Sequence, residues 1–337
     1  MKRQSDLFDQ IIDYSNIRIA FLKALRGNRK GLTVIDFCRR ISKNLAAVGR
    51  KLQALDCGWG SYRSFMIQEP KVRVINTAPF EQRVMQHAIM NIVEPIFDRP
   101  MIDHSYACRK GKGTHSAVQY AFGRCKAVPF FLKLDIRKYF DSIHHETLKA
   151  LIRRLIKDER VLFLLDGVID SYETSPGRGV PIGNLTSQFF ANLYLAGMDH
   201  FILEKLRPSA YCRYMDDFVI WSPSHSQLKE MFAQINEYVN RNLKLTVKQP
   251  VFGKTAAGLP FLGFLVKDKG IYLLRKSKRR FKKRITKITR ALYSGAISEE
   301  KAAEKARSVC SAINIARTNR LRKKAIEDGE RFLALTV

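Results

Sequence analysis

An α+β fold is predicted by three features of the 337-residue sequence. Apolar positions recur mostly at helical spacing, a few short segments read as antiparallel strands, and acids stand where two of those strands end. Hydrophobic residues make up 46% and charged residues 27%, which excludes a mostly disordered chain. Residues 6–56 read as helical through Ile11, Ile12, Ile17, Ile19, Phe21, Leu22 and Leu25, with a break at Gly27–Gly31 and a second helix from Val34. Tyr62 to Ile75 turns strand-like: SFMIQ, then KVRVI alternating around Lys71 and Arg73, joined through Glu69-Pro70. A helix is predicted from Phe80 to Ile96, with Val84, His87, Ala88, Asn91 and Ile92 on a buried face.

The basic loop Arg109-Lys110-Gly111-Lys112-Gly113 precedes a helix running to about Gly123, and Phe130–Ile136 (FFLKLDI) reads as an apolar strand with an acid at its end. Helices follow over roughly 146–172, then a turn at Ser175–Gly179, then a long apolar helix from Thr186 to Leu206. YCRYMDDFVIW reads as two short strands hinged on Asp216-Asp217, a hairpin. A helix over 226–242, strands near 243–247 and 261–273, and basic C-terminal helices complete the chain.

The charge balance is unusual. Sixty Lys and Arg against 31 Asp and Glu leave +29, and self-repulsion of that size points to a polyanionic partner, nucleic acid before membrane. Residues 275–337 carry +13 of it, and RKSKRRFKKRITKITR (275–290) holds ten basic residues and no acid. That run reads either as a solvated or import-like basic patch or as a folded helix, since Phe281, Ile285 and Ile288 recur at helical spacing. The six cysteines form no CxxC pair, and the histidines offer no zinc-finger spacing beside one, so a reducing compartment is expected. MKRQSDLFDQ lacks the apolar core of a signal peptide, and the uncharged stretch Gly179–Met198 contains Pro181, Asn184, Gln188 and Asn192. The expectation is a soluble, cytoplasmic, nucleic-acid-facing protein with no membrane partner.

An acid ending an apolar strand is costly unless it lies at an edge or binds a cation. The feature occurs twice, at Asp135 after FFLKL and at Asp216-Asp217 after YCRYM. Either acid alone also reads as a helix cap or turn acid. Two such strands side by side would gather Asp135 and Asp216, with Asp217 adjoining. Carboxylates shared by two Mg²⁺ ions are the arrangement that stabilises attacking and leaving oxygens in phosphoryl transfer.

Tyr214-Met215-Asp216-Asp217 resembles the catalytic YxDD hairpin of reverse transcriptases. Further matches run in family order: KVRVINTAPFEQRVMQHAI (71–89), SYACRKGKGTHSAV (105–118), LKLDIRKYFDSI (132–143) and GLPFLGFLV (258–266). In Ile182-Gly183-Asn184-Leu185-Thr186-Ser187-Gln188, Ile182 stands where most of the family has Gln, and Gln188 where it has Pro. That variant is similar to the reverse transcriptases of diversity-generating retroelements, and the asparagine–histidine and valine–threonine–glycine signatures of retron enzymes are not found.

The resemblance implies a right-hand polymerase: a helical N-terminal segment (1–60), fingers (61–129, continuing in 146–185), palm (130–145 and 186–255), primer-grip hairpin (256–274) and basic helical thumb (275–337). It implies that Asp135, Asp216 and the carbonyl of Ile136 hold two Mg²⁺ ions, for which Mn²⁺ can substitute, while Asp217 supports the cluster. Phe140 becomes a gate against the ribose 2′-OH, with core packing the alternative because Tyr139 is equally bulky. Arg73, Lys71 and Arg109 become triphosphate contacts, the last two equally readable as template contacts. Ile182, Gly183 and Gln188 face the nucleotide and template base, and an apolar Ile182 implies loose selection opposite template adenine. Lys248 stands where the family has a lysine able to protonate the leaving pyrophosphate, with Lys254 competing and a solvated strand-end lysine as alternative. Leu262, Gly263 and Phe264 form the primer grip, or a plain core hairpin. Arg275, Lys276, Lys278, Arg279, Arg280, Lys282, Lys283 and Arg284 track the RNA–DNA hybrid. No role falls to His144-His145 or the cysteines.

The implied partners are a template RNA, the primer–template hybrid, dNTPs and a small basic accessory protein, in a bacterial or phage-infected cell. Two rivals stay open: an antiviral or retron-like reverse transcriptase, and a catalytically silent nucleic-acid-binding scaffold of the same fold.

Overall fold

The computed structural model describes residues 3–26, 31–68 and 72–334. They form helices and antiparallel sheets in two compact units. The first comprises Met1–Arg109, Asp135–Leu206 and Ala233–Lys248, the second Lys110–Leu134, Arg207–Phe232 and Gln249–Val337.

In the first unit the N-terminal helices Phe8–Ile12, Tyr14–Ala24, Leu32–Arg39 and Ile41–Gln53 surround the helix Phe80–Asp98. Asp13 ends the first and caps the second, its carboxylate accepting from the N–H groups of Ser15 (2.9 Å) and Asn16 (3.3 Å). That restart sets the phase: Ile17, Ala20, Phe21 and Ala24 turn inward, whereas Ile19 and Leu22 stay about half exposed. Phe21, Phe37 and Phe80 stack and edge together with centroids 5.1–6.1 Å apart. The Phe80–Asp98 helix is buried around most of its girth, not on one stripe. Val84 and Ala88 are buried as expected, and His87, Asn91 and Ile92 are only half-buried.

Burial, reinforced by Arg83, Lys23 and Arg26, pulls the His87 imidazole down from 6.5 to about 4. The unfolded chain therefore takes up a proton that the folded one refuses as pH falls from about 6.5 toward 4. Stability is expected to fall across that window, and His87→Gln to flatten this part of the unfolding-midpoint profile. An unchanged profile in the variant would remove His87 as the cause.

Strands β1 (Arg63–Ile67) and β2 (Arg73–Thr77) pair antiparallel, Ile67 opposite Arg73 and Arg63 opposite Thr77. The Glu69-Pro70-Lys71 link lies outside the described residues. The helices expected over roughly 146–172 are His145–Arg153 and Glu159–Asp170, the second capped by Asp158. The long helix expected from Thr186 is broken at Leu195 into Leu185–Tyr194 and Ala196–His200, and Phe201–Leu206 continues as a π-helix.

The second unit holds a four-stranded sheet in the order β4-β5-β3-β6. Its strands are β3 (Phe130–Asp135), β4 (Ala210–Tyr214), β5 (Asp217–Ser222) and β6 (Val251–Lys254). Phe131, Leu132, Leu134, Tyr211, Phe218, Ile220 and Trp221 are buried in it. The strand expected at 243–247 is absent: the His225–Leu243 helix ends there, Lys244 turns left-handed (φ +52°), and Val247 makes a lone bridge to Ile136. In place of one hairpin over 256–274 there is a three-stranded meander, β7 (Leu259–Phe261), β8 (Phe264–Lys267) and β9 (Gly270–Leu273). The basic C-terminal segment folds into helices Arg275–Tyr293, Glu299–Ser311 and Asn319–Ala334, with Phe281 and Ile285 buried. Among the described residues no helix is long and apolar enough to cross a membrane.

Candidate active site

The site begins with a register. β4 and β5 are buried on both faces, Cys212, Phe218, Val219 and Ile220 among them, and their pairing sets Tyr214 opposite Asp217 as the last pair. A two-residue loop, Met215-Asp216, remains, and Met215 takes φ +58°. Next to β5 lies β3, whose Lys133 reaches the Asp217 carboxylate at 3.2 Å. Lys133 stands two residues before Asp135, on the same face of the strand. Lys133 and the start of β5 therefore share one end of the sheet.

Asp135 is the last residue of β3. Its carbonyl accepts from the N–H of Lys248 (2.8 Å), and its carboxylate Oδ1 lies 2.5 Å from Lys248 Nζ. Ile136, fully buried, bridges to Val247, and the N–H of Arg137 donates to the Thr246 carbonyl at 2.8 Å. Register separates the two lysine candidates: Lys254 pairs opposite Phe130, at the far end of β3, about 17 Å along the strand from Asp135. The neighbouring aromatics also part. Tyr139 is buried, its hydroxyl donating to the Ala191 carbonyl, whereas Phe140 is half-exposed with its ring edge-on to Tyr139.

The Ile182–Gln188 segment is seated against β2. The Asn76 N–H donates to the Ile182 carbonyl (2.7 Å), and Gly183 adopts φ +105°. A Cβ on Gly183 would lie 2.5 Å from Ile75 Cγ2. A polar network fixes this contact: Ser64 Oγ donates to Asn76 Oδ1 (2.7 Å), Asn76 Nδ2 to Tyr172 OH (3.2 Å), and Tyr62 OH meets Ser171 Oγ (2.8 Å). Burial pushes the Tyr62 phenol upward. Ile182 is half-buried, and Gln188 is exposed on the Leu185–Tyr194 helix. Arg73 is exposed at the start of β2, and Lys71 lies outside the described residues.

Arg109 is committed within its own loop. Its guanidinium is forked onto Asp98 (2.5 and 3.1 Å) and also donates to the carbonyls of Ile102 and Ser105. With so many donors committed, it braces its own loop and is not held out toward a triphosphate.

In the second unit β7 and β8 are joined by Leu262 (φ +48°) and Gly263 (φ +89°), a two-residue turn with both residues left-handed. The Gly263 carbonyl accepts from Ser277 Oγ at 2.7 Å. This turn, buried Phe264, Arg280, Arg284, Thr114 and His115 border a cavity of about 310 Å³. Arg280 and Arg284 thus face the turn one helical repeat apart. Arg275, Lys276, Lys278, Arg279, Lys282 and Lys283 are exposed on the same helix.

His144 caps its helix, and His145 is buried against the Gly179 carbonyl (2.7 Å). The six cysteines are free thiols, and burial raises Cys57 to about 12 and Cys125 to about 11. The sequence reading missed Lys133, although its i, i+2 spacing from Asp135 was readable, and it missed Arg213 and the Tyr62–Asn76–Tyr172 network.

Among the described residues no three His, Cys, Asp or Glu side chains gather at metal-holding distance. The donors offered by the β3 end and the β4–β5 loop are carboxylates and a backbone carbonyl. These hard oxygens fit Mg²⁺ or Mn²⁺.

A family model described as reverse transcriptase (RNA-dependent DNA polymerase) matches residues 67–265. Protein YkfC of Escherichia coli (strain K12) is 25% identical over 218 residues, covering 52% of this chain and 57% of the relative. Group II intron-encoded protein LtrA of Lactococcus lactis subsp. cremoris is 29% identical over 140 residues, covering 40% of this chain and 23% of the relative. Among solved structures, telomerase from Candida tropicalis in complex with a fragment of telomeric RNA aligns at TM-score 0.49 and 11% identity, over 83% of this chain and 55% of that one. The chain spans less than two thirds of the length of each of these relatives.

Proposed function

The chain belongs to the reverse transcriptase family, and on that premise we propose that it is an RNA-directed DNA polymerase extending a primer 3′-OH with dNTPs on an RNA template. The observation that carries this reading is the β4–β5 hairpin that leaves Met215-Asp216 as its loop and ties Asp217 to Lys133 of the neighbouring strand, in a chain of net charge +29. Residues 61–129 with 146–185 serve as fingers, 130–145 with 186–255 as palm, 256–274 as primer grip and 275–337 as thumb.

Asp135, Asp216 and the Ile136 carbonyl would hold two divalent ions, Mg²⁺ in the cell, with Asp217 steadying the loop through Lys133. Such ions, when bound, offset charge on the attacking and leaving oxygens. The chain's own residues do the rest. Lys248, held at Asp135 by its backbone and its ammonium, keeps a proton at Nζ for the departing pyrophosphate. Phe140, the exposed member of its aromatic pair, excludes a ribose 2′-OH. Arg73 reaches the triphosphate from β2. Leu262, Gly263, Phe264, Arg280 and Arg284 seat the primer strand.

The finer reading is an enzyme of a diversity-generating retroelement that makes mutagenic cDNA in the bacterial or phage-infected cytoplasm, with a small basic accessory protein. Ile182 supports it, because its apolar side chain can make no polar check on the nascent pair. Primer extension on RNA, with every product sequenced, tests both levels. Errors are expected to cluster opposite template adenines, and Ile182→Gln to lower them about tenfold. Accurate products from the wild type, or an unchanged spectrum in the variant, would overturn the mutagenic reading and leave the polymerase.

A further inference from the structure

The β4–β5 loop is held in a conformation that its sequence does not favour. At the first position of a two-residue hairpin loop, positive φ is normally supplied by Gly, Asn or Asp. Here the residue is Met215, at φ +58°, where a side chain bears a steric cost. Such backbone persists only where its surroundings fix it. Arg213 is one group that fixes it. Its side chain is 0% exposed, on the β4 residue paired with Phe218, and its Nη1 donates to the Met215 carbonyl at 3.1 Å. A guanidinium buried so completely is expensive, and neither an amide nor an ammonium reproduces its planar fork.

That carbonyl belongs to the peptide linking Met215 to Asp216. We propose that Arg213 is a positioning residue for the polymerase reaction: by holding the Met215 carbonyl it sets the plane of the next peptide, and with it the direction of the Asp216 carboxylate. Arg213 touches neither nucleotide nor primer in this role. One of its partners is the backbone of the loop, and its effect on chemistry passes through Asp216. The inference rests on the polymerase reading.

Four proteins test it: wild type, Arg213→Lys, Met215→Gly and the double variant. Each is assayed for the rate of single dNTP incorporation, KM for dNTP, affinity for an RNA–DNA hybrid, and backbone hydrogen exchange across residues 211–218. Arg213→Lys is expected to slow incorporation about 10- to 100-fold, leaving KM and hybrid affinity within about threefold. Amide exchange in the loop should quicken about tenfold. In the Met215→Gly background the same Arg213→Lys change should cost less than about fivefold, because glycine keeps a positive φ without the clamp. Should Arg213→Lys fold poorly, the double variant is expected to recover folded protein. Equal losses in the two backgrounds, unchanged exchange, or no recovery in the double variant would each overturn the clamp. A wild type that incorporates no dNTP would sink the polymerase reading, and the exchange result would still decide the clamp.

Discussion

Asp216→Asn is expected to reduce dNTP incorporation by at least about a thousandfold while leaving the fold and hybrid affinity unchanged. Asp216 is the second residue of a two-residue loop and pairs with no strand, so the ladder from Ala210 to Ser222 does not depend on it. Asn keeps its volume and tolerates turn backbone, so the change removes charge and little else. Charge is what this position supplies: a carboxylate facing a divalent ion and the developing negative oxygens of phosphoryl transfer. Single preorganised electrostatic partners in other active sites are worth about 10²–10³ in rate, and loss of a metal ligand is at least as severe. Incorporation, unfolding midpoint and hybrid binding should be measured on the same preparation. Loss of activity together with loss of fold would leave the prediction unmet, and retained incorporation would place the chemistry elsewhere.

Some of this site was legible in the residues. YCRYMDDFVIW announced a hairpin, although the hinge read at Asp216-Asp217 lies one residue earlier, at Met215-Asp216, and FFLKLD announced an apolar strand ending in an acid, because both are local patterns. The sheet order β4-β5-β3-β6 was not legible, because it joins strands more than 75 residues apart in sequence. That order and its register distinguish Lys248 from Lys254, which sequence position alone could not do. The partner of Arg109 was hidden for a related reason: a basic, glycine-rich loop advertises phosphate, and its guanidinium pairs with Asp98 at the end of the preceding helix. The break at Leu195 was hidden by composition, since a segment buried on nearly every side, polar Thr186, Ser187 and Asn192 included, carries no clear phase from which an interruption can be read.

Gly183 is where a single added methyl is expected to cost most in structure. Its φ of +105° lies in the region favouring glycine, and a Cβ there would come within 2.5 Å of Ile75 Cγ2 and 3.2 Å of the Asn76 carbonyl oxygen. The side-chain clash can relax if Ile75 shifts. The backbone approach cannot relax without stretching the Asn76 N–H bond to the Ile182 carbonyl, now 2.7 Å. The left-handed backbone contributes about 1–2 kcal/mol and overpacking about 1–3 kcal/mol, so Gly183→Ala should destabilise by about 3 kcal/mol. At this size that is a fall of roughly 4 °C in unfolding midpoint. The same strain displaces Ile182 from its seat on β2, so incorporation should drop and its error spectrum change even below the midpoint. Trimming the neighbour separates the two causes. Ile75→Ala in the Gly183→Ala background should recover the overpacking part and leave the backbone part, a non-additivity of about 1 kcal/mol or more between touching residues. Additive losses would mean that Ile75 and Gly183 do not press on each other, and that the strained turn alone accounts for the glycine.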